Sequence, residues 1–471
     1  MADWRLHNDS IIIPGPWFHV DLAALDARHP IHYSDRLYIF RCVSGAQRDA
    51  QLDVLKTGLQ GLLRRFPILG GTVRTLPHIV SKDGKQDWRT VAADAAPALE
   101  LIVRDLRSSI PSFEELAAAG FPPMQLPHDV LIPVPRDLDN ERPFAACRVQ
   151  FSAIEGGTIL TYAMSHSVAD GVGTNELTRV LSEEIRLASE GVAASEIRLD
   201  ADNGLDRSLL RGITSKIPFN IDDHPAYRLP ASTQTTTLPL REPPPHPFTA
   251  PSPESPTLLR ISPGNLAKLK ADATLPGAPP ISTHDALCAL VWRTLLLIRS
   301  RRSAAAQSLI PTEEGHMYFP SDARRHLNLP QSYVGNAVYQ LTASLPLRVL
   351  FSPAGLKEAA SAIRKAISAV NAEKVESLMA ETSERWLEWA FLSNYATTGV
   401  AIGTDWTMGE LYGLDWGKHF GRMESYRCPG EPWCCILPKR VDGSADVVMS
   451  VLPAELEVLR GKEGFEKYLE K

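Results

Sequence analysis

Residues 147–171 read CRVQFSAIEGGTILTYAMSHSVADG, and the fold turns on how this stretch is parsed. In its first part Cys147, Val149, Phe151 and Ala153 alternate with Arg148, Gln150 and Ser152. A period of two residues sets one apolar face on a strand. Glu155-Gly156-Gly157 then supplies turn chemistry before the apolar run 159–164, so the spacing predicts a β-hairpin. Its second strand runs directly into His166, with Asp170 and Gly171 just beyond, and Leu177, Val180, Leu181 and Ile185 then recur at helical spacing. A histidine between a strand and a helix is carried on rigid elements, where chemical sites are best held. A lone histidine is more often a structural group, so the rest of the chain must decide.

Upstream, Leu52, Leu55, Leu59, Leu62, Leu63 and Phe66 form one apolar stripe that ends at Pro67 with Gly70-Gly71 beyond, which predicts a helix. Downstream, Leu287, Leu290, Val291, Leu295 and Ile298 define a second stripe, and Leu356, Ala360, Ile363, Ile367 and Val370 a third. Towards the C-terminus, residues 433–437 and 446–452 read as strands around a turn at Asp442-Gly443, with a terminal helix from Ala454. Strands and helices mix on both sides of a segment in which nine prolines fall between Pro230 and Pro256. Proline fixes φ and removes a donor, so this segment is expected to be an extended crossover. The chain therefore divides into residues 1–220, a Pro-rich linker over 221–256, and residues 257–471.

The 471 residues give room for two large domains, and a hydrophobic fraction of 44% with 22% charged residues excludes a disordered or fibrous chain. Lysine and arginine number 49 against 55 acids, a net charge of −6, so no global basic field exists to hold nucleic acid. Cys42, Cys147, Cys288, Cys428, Cys434 and Cys435 show no CxxC spacing and read as reduced core thiols, with no metal expected. The first residues carry an early acid and no long apolar segment, and the most apolar helical run, 287–298, is interrupted by Arg293. A cytoplasmic, monomeric protein without membrane insertion is the expectation.

Several motifs, in order along nearly the whole chain, resemble the BAHD acyltransferases and especially their fungal trichothecene O-acetyltransferase-like branch. They are LQGLLRRFPILGG at 59–71, the hairpin with Gly156-Gly157, HSVADG at 166–171 and ISTHDALCALVWR at 281–293. DARRHLN at 322–328, YVGNAV at 333–338, TDW at 404–406 and DWG at 415–417 continue the series. The resemblance implies a two-domain α/β, chloramphenicol-acetyltransferase-like fold, with mixed sheets flanked by helices and an active-site channel between the domains. It also implies an enzyme that moves an acyl group from acetyl-CoA or another acyl-CoA to a hydroxyl of a small metabolite, with no tightly bound cofactor.

Acyl transfer to an alcohol needs a base for the hydroxyl proton, and histidine suits that task near neutral pH. His166 is the expected base, acting in a ternary complex without an acyl-enzyme. In proteins that look like this one, the aspartate of the motif turns away and pairs with an arginine, which corresponds to an Asp170–Arg324 pair supporting the site beside Gly171. Trp406 matches the tryptophan of the family's Thr-Ser-Trp segment and would donate its indole N–H to the developing oxyanion. Thr404 would face the acceptor, and Asp405 departs from the usual serine. Asp415 and Gly417 retain part of the family's DFGWG signature and read as structural. Ser282 and Thr283 either cap a helix or donate to coenzyme A, and Arg299, Arg301 and Arg302 either meet its phosphates or complement a helix C-terminus. Two rivals are weighed: a condensation-type enzyme of nonribosomal peptide synthesis, which typically has HHxxxDG where this chain has Ser165, and a catalytically inactive binding or scaffold relative.

Overall fold

A computed structural model describes residues 10–28, 32–76, 88–92, 98–135, 143–193, 204–210, 212–229, 254–304, 313–384, 387–390, 398–404, 411–428 and 434–470. Strand Cys147–Ile154 pairs antiparallel with Gly157–Ser165, from Cys147 opposite Met164 to Ile154 opposite Gly157. Gly156 turns the hairpin at φ 74°, a left-handed backbone conformation that glycine adopts without steric cost. Both strands are almost fully covered, because the two long helices bury one face of the sheet and residues 106–134, with the short helices Phe113–Ala118 and His128–Leu131, pack on the other.

The hairpin is the centre of a six-stranded sheet ordered Ser10–Pro14, Ala98–Asp105, Cys147–Ile154, Gly157–Ser165, Tyr33–Arg41 and Ser425–Arg427. Helices Gly45–Arg65 and Gly171–Ser189 pack together on it. The first is capped by Ser44, whose side chain accepts from Gln47 N, and begins earlier than its apolar stripe because its first turn is polar. A Cβ at Gly58 would crowd Ile185, and one at Gly61 would overlap the Glu184 carboxylate, so these glycines permit the close helix approach. Arg65 Nη1 meets the buried Glu184 Oε1 at 3.2 Å.

A second six-stranded sheet is ordered Ser255–Ile261, Ala445–Val451, Cys434–Ile436, Gly399–Thr404, Glu314–Asp322 and Val338–Pro346. Its pairs between Glu314–Asp322 and Gly399–Thr404, and between Gly399–Thr404 and Cys434–Ile436, are parallel. Helices Pro263–Ala273, Thr283–Ala304 and Gly355–Ser368 supply the apolar faces around Leu287, Trp292 and Ile363 in a second core. The terminal helix expected from Ala454 is short, Leu456–Arg460, because Gly461 ends it. The architecture is mixed sheets flanked by helices.

The two halves are stitched by chain exchange. Ser425–Arg427 leaves the second half and pairs antiparallel with Tyr33–Arg41, from Ser425 opposite Ile39 to Arg427 opposite Leu37. Trp416, Phe420 and Tyr426 go with it into the first core, packed around Tyr38 and Phe40. In the other direction Ile213 and Phe219 pack on the second core. Residues 230–253 of the Pro-rich segment lie outside the described residues. Among the described residues no helix is long and apolar enough to cross a membrane. All six cysteines are free thiols, and all but Cys428 are buried.

Candidate active site

Strand Gly157–Ser165 ends where its backbone partners change. His166 N donates to His32 O at 2.9 Å, and Val168 N folds back to Ser165 O at 2.9 Å, which makes a turn between strand and helix. Asp170 then caps helix Gly171–Ser189, its Oδ1 accepting from Gly173 N at 2.8 Å. His166 is partly exposed at this turn, its ring 4.9 Å from that of His32 and tilted by 42°. Burial pushes its pKa below the ordinary histidine value, and the nearby Asp170 charge partly offsets this. The imidazole is therefore neutral, and able to accept a proton, at neutral pH.

Asp170 and Arg324 form an ion pair across the junction of the halves. Arg324 Nη1 donates to Asp170 Oδ2 at 3.0 Å and Nη2 to Oδ1 at 2.8 Å, with the side chains 0% and 1% exposed. Ala337 N donates to Oδ2 at 2.9 Å, so with Gly173 N the carboxylate receives four hydrogen bonds. That fills its acceptor capacity. Arg324 spends its remaining donors on Tyr333 O, Gly335 O and Asp322 Oδ1, each at 2.9 Å. Burial alone would lower the guanidinium pKa, but the charges and hydrogen bonds of Asp170 and Asp322 together outweigh it and hold the group cationic.

Three further residues brace the turn. Asn336 Nδ2 donates to His166 O at 2.8 Å, and Arg207 Nη2 donates to Val168 O at 2.6 Å. Asp26 accepts from Asn336 N and Nδ2 through Oδ1, while its Oδ2 accepts from Ala23 N and lies 3.0 Å from Arg207 Nε. Asn336 stands within the YVGNAV motif; no local pattern flags Asp26 or Arg207, whose roles arise only when distant segments meet.

The other expected residues fall in different places. Asp415 Oδ1 accepts from Gly417 N at 2.9 Å, and Gly417 has φ 77° where a Cβ would overlap Ser189, so this motif shapes a turn against helix Gly171–Ser189. Ser282 Oγ accepts from Asp285 N at 3.1 Å while Asp285 Oδ2 accepts from Ser282 N at 2.7 Å, a reciprocal cap on helix Thr283–Ala304. Thr283 is the first residue of that helix. At the other end Arg301 pairs with Glu463, Arg302 with Glu254 and Glu455, and Arg299 donates to Gly399 O, so these arginines tie the helix to neighbouring segments. Thr404 ends strand Gly399–Thr404, on the second sheet. Trp406 and Asp405 lie outside the described residues.

Comparison with known proteins bears on the family and the fold. The family model for the trichothecene 3-O-acetyltransferase-like N-terminal domain matches residues 33–184, and that for the Transferase family matches residues 130–462. The chain is 26% identical to the O-acyltransferase pigD of Monascus ruber, covering 93% of this chain and 95% of that one. It is 24% identical to the eremophilane O-acetyltransferase prx11 of Penicillium rubens, covering 96% and 98%. It is also 27% identical to the enoyl-CoA isomerase/hydratase claC of Penicillium crustosum, covering 98% of this chain but about half, 52%, of that protein. The fold matches F. sporotrichioides TRI101 complexed with coenzyme A and T-2, with a TM-score of 0.78 at 21% identity over 96% of this chain and 99% of that one. With the Transferase model spanning 130–462, well over half of the chain, the chain belongs to the Transferase family of BAHD acyltransferases and is an acyl-CoA-dependent acyltransferase.

Proposed function

We propose that this protein O-acetylates a hydroxyl of a small specialised metabolite, by direct transfer from acetyl-CoA in a ternary complex with His166 as general base. The observation that carries the reading is the division of labour in the HxxxD segment. Asp170 is saturated by Arg324, Gly173 N and Ala337 N, whereas the His166 imidazole is partly exposed and neutral. An orienting acid with no free acceptor position cannot serve as a relay, so the base works without one.

In this reading the imidazole takes the hydroxyl proton as the acceptor oxygen attacks the thioester carbonyl. The tetrahedral intermediate collapses with cleavage of the C–S bond, and the imidazolium returns the proton to the departing thiolate. Trp406 is the proposed indole donor to the oxyanion, Thr404 the proposed acceptor contact, and Ser282 and Thr283 the proposed contacts for coenzyme A. The substrates enter from opposite sides of a channel at the junction of the halves, where His166, Asn336 and Arg324 come from different parts of the chain. The names of pigD and prx11 support oxygen as the acceptor atom, and that of prx11 supports acetyl as the group.

The test is incubation of the protein with a panel of alcohols and acetyl-CoA or longer acyl-CoAs, reading free thiol and product mass. Acceptor-dependent thiol release with a product heavier by one acetyl group is expected. Binding without turnover across the panel points to a scaffold instead.

A further inference from the structure

Strand Tyr33–Arg41 brings a second imidazole to the site. Its register with strand Gly157–Ser165 runs to Tyr33 opposite Ser165, and His166 N donates to His32 O at 2.9 Å, so the ladder extends one step and sets His32 opposite His166. Residues directly opposite each other in an antiparallel pair project to the same face, with Cβ atoms about 4.5–5.5 Å apart. The rings follow that rule: their centroids are 4.9 Å apart, the planes tilted by 42°, and both residues are partly exposed. Strand register therefore gives His166 an imidazole as its cross-strand neighbour.

A base that takes the acceptor proton becomes a cation, and interactions that grow with that charge lower the barrier. The carboxylate of the motif cannot turn to meet it, since buried Asp170 accepts from Arg324, Gly173 N and Ala337 N. The nearby guanidinium of Arg36 opposes the cation. An aromatic face attracts a cation within about 6 Å of its centroid, through the quadrupole of the π system. His32 meets that distance. Two imidazolium ions at the same separation would repel, so the pair holds one proton, and the ring beside a newly charged His166 is neutral.

We infer that the neutral ring of His32 stabilises the imidazolium that forms on His166 in the transition state. It acts through His166, and the inference rests on His166 being the base.

The experiment uses the full chain, acetyl-CoA and the panel alcohol that turns over best, with His32 replaced by Leu or by Phe. Leucine fills a similar volume without a π face; phenylalanine keeps the face and does not titrate. His32→Leu is expected to lower kcat by about 3- to 30-fold per folded molecule, the range of a partly to fully desolvated cation–aromatic contact. It should also move the acid limb of kcat/KM to lower pH, because an imidazolium deprived of its neighbour gives up its proton more readily. KM for both substrates should stay within about twofold. His32→Phe should hold kcat within about threefold of the parent and keep the acid limb near its parental position. If the leucine variant folds poorly, His32→Gln, also without an aromatic face, is read in the same way. A parental kcat or an unmoved acid limb in His32→Leu overturns the inference, as does a phenylalanine variant as slow as the leucine one. A limb that moves to higher pH also overturns it, since His32 would then have been repelling the charge on His166. In the His166→Ala background, His32→Leu should have no further effect; a further loss of turnover there means that His32 acts on the substrate itself, which also overturns the inference. Failure of the general-base reading is distinct: His166→Ala alone would then keep parental turnover.

Discussion

Arg324 grips Asp170 with both terminal nitrogens, at 2.8 and 3.0 Å, and neither side chain is more than 1% exposed. The pair joins the turn after His166 to the segment 333–337, because Arg324 also donates to Tyr333 O and Gly335 O. It therefore holds two parts of the chain at a fixed spacing beneath the imidazole. Bidentate geometry with every donor used is the case in which a buried ion pair recovers its desolvation cost.

Removing one partner strands the other. Asp170→Ala and Arg324→Ala are each expected to cost about 3–5 kcal/mol of stability and to lower activity. The double variant should lose much less than the sum, since each single change already breaks the same contact. Denaturant titration of the three variants checks this. An Asp170→Ala protein of parental stability and coenzyme A affinity that nonetheless lacks turnover would move Asp170 into the chemistry.

His166→Ala is expected to lose about 10²–10⁴ in kcat with the fold intact. The pH dependence has a definite sign. Burial lowers the His166 pKa; the Asp170 charge, the contact with its own carbonyl and Asn336 raise it, and Arg36 lowers it. The net shift is downward, so activity should hold above the ordinary value near 6.5 and fall only as pH drops through the lowered one. A pH profile of kcat/KM measures the midpoint, and an acid limb centred well above 6.5 would contradict a base whose pKa is lowered.

The hairpin and the helix stripes were legible because their periods are local: seven residues at 147–153 settle a strand, and Leu52 to Phe66 settle a helix. The Asp170–Arg324 pair was reachable only through the resemblance, since nothing in either segment names its partner. Asp26 and Arg207 were not legible at all; an isolated Asp and Arg resemble solvated surface charges until the fold buries them together. Strand Ser425–Arg427 was missed for a related reason. Three residues carry no measurable period, and its place beside Tyr33–Arg41 is decided by Trp416, Phe420 and Tyr426 packing on the first core.

His224 is expected to make stability pH-dependent. It is 1% exposed, stacked on Phe219 with ring centroids 5.3 Å apart, and its nitrogens lie 2.8 Å from Tyr339 Oη and 3.2 Å from Ser377 Oγ. Burial pushes its pKa down to about 4, so the folded state keeps it neutral while an unfolded chain protonates it near 6.5. Between those values the unfolded state binds more protons, and stability falls as pH falls. Replacing His224 with Gln, which does not titrate there, should flatten the melting-temperature profile from pH 6.5 to 4. His284, also pushed to about 4, leaves a residual slope. An unchanged profile in the variant would remove His224 as a source.

Oxyanion stabilisation is tested at Trp406. Replacement by Phe keeps most of the aromatic volume but removes the indole donor, so kcat should fall while coenzyme A affinity and melting temperature stay near parental values; loss of one oxyanion donor is worth about 10²–10³ in rate. A tryptophan that merely fills a core behaves in the opposite way, leaving a cavity that lowers stability with normal turnover per folded molecule. Gly173 provides the steric control. A Cβ there would overlap the Val334 carbonyl oxygen, a backbone atom that cannot rotate aside, so Gly173→Ala must push the 333–337 segment away from helix Gly171–Ser189. Overpacking of this kind costs about 1–3 kcal/mol. Because the same segment carries Asn336 and receives Arg324, the displacement should lower both melting temperature and kcat, whereas Trp406→Phe should lower kcat alone. Measuring both variants in one series separates loss of an electrostatic donor from loss of a braced base: parallel falls in stability for the two would return Trp406 to a packing role.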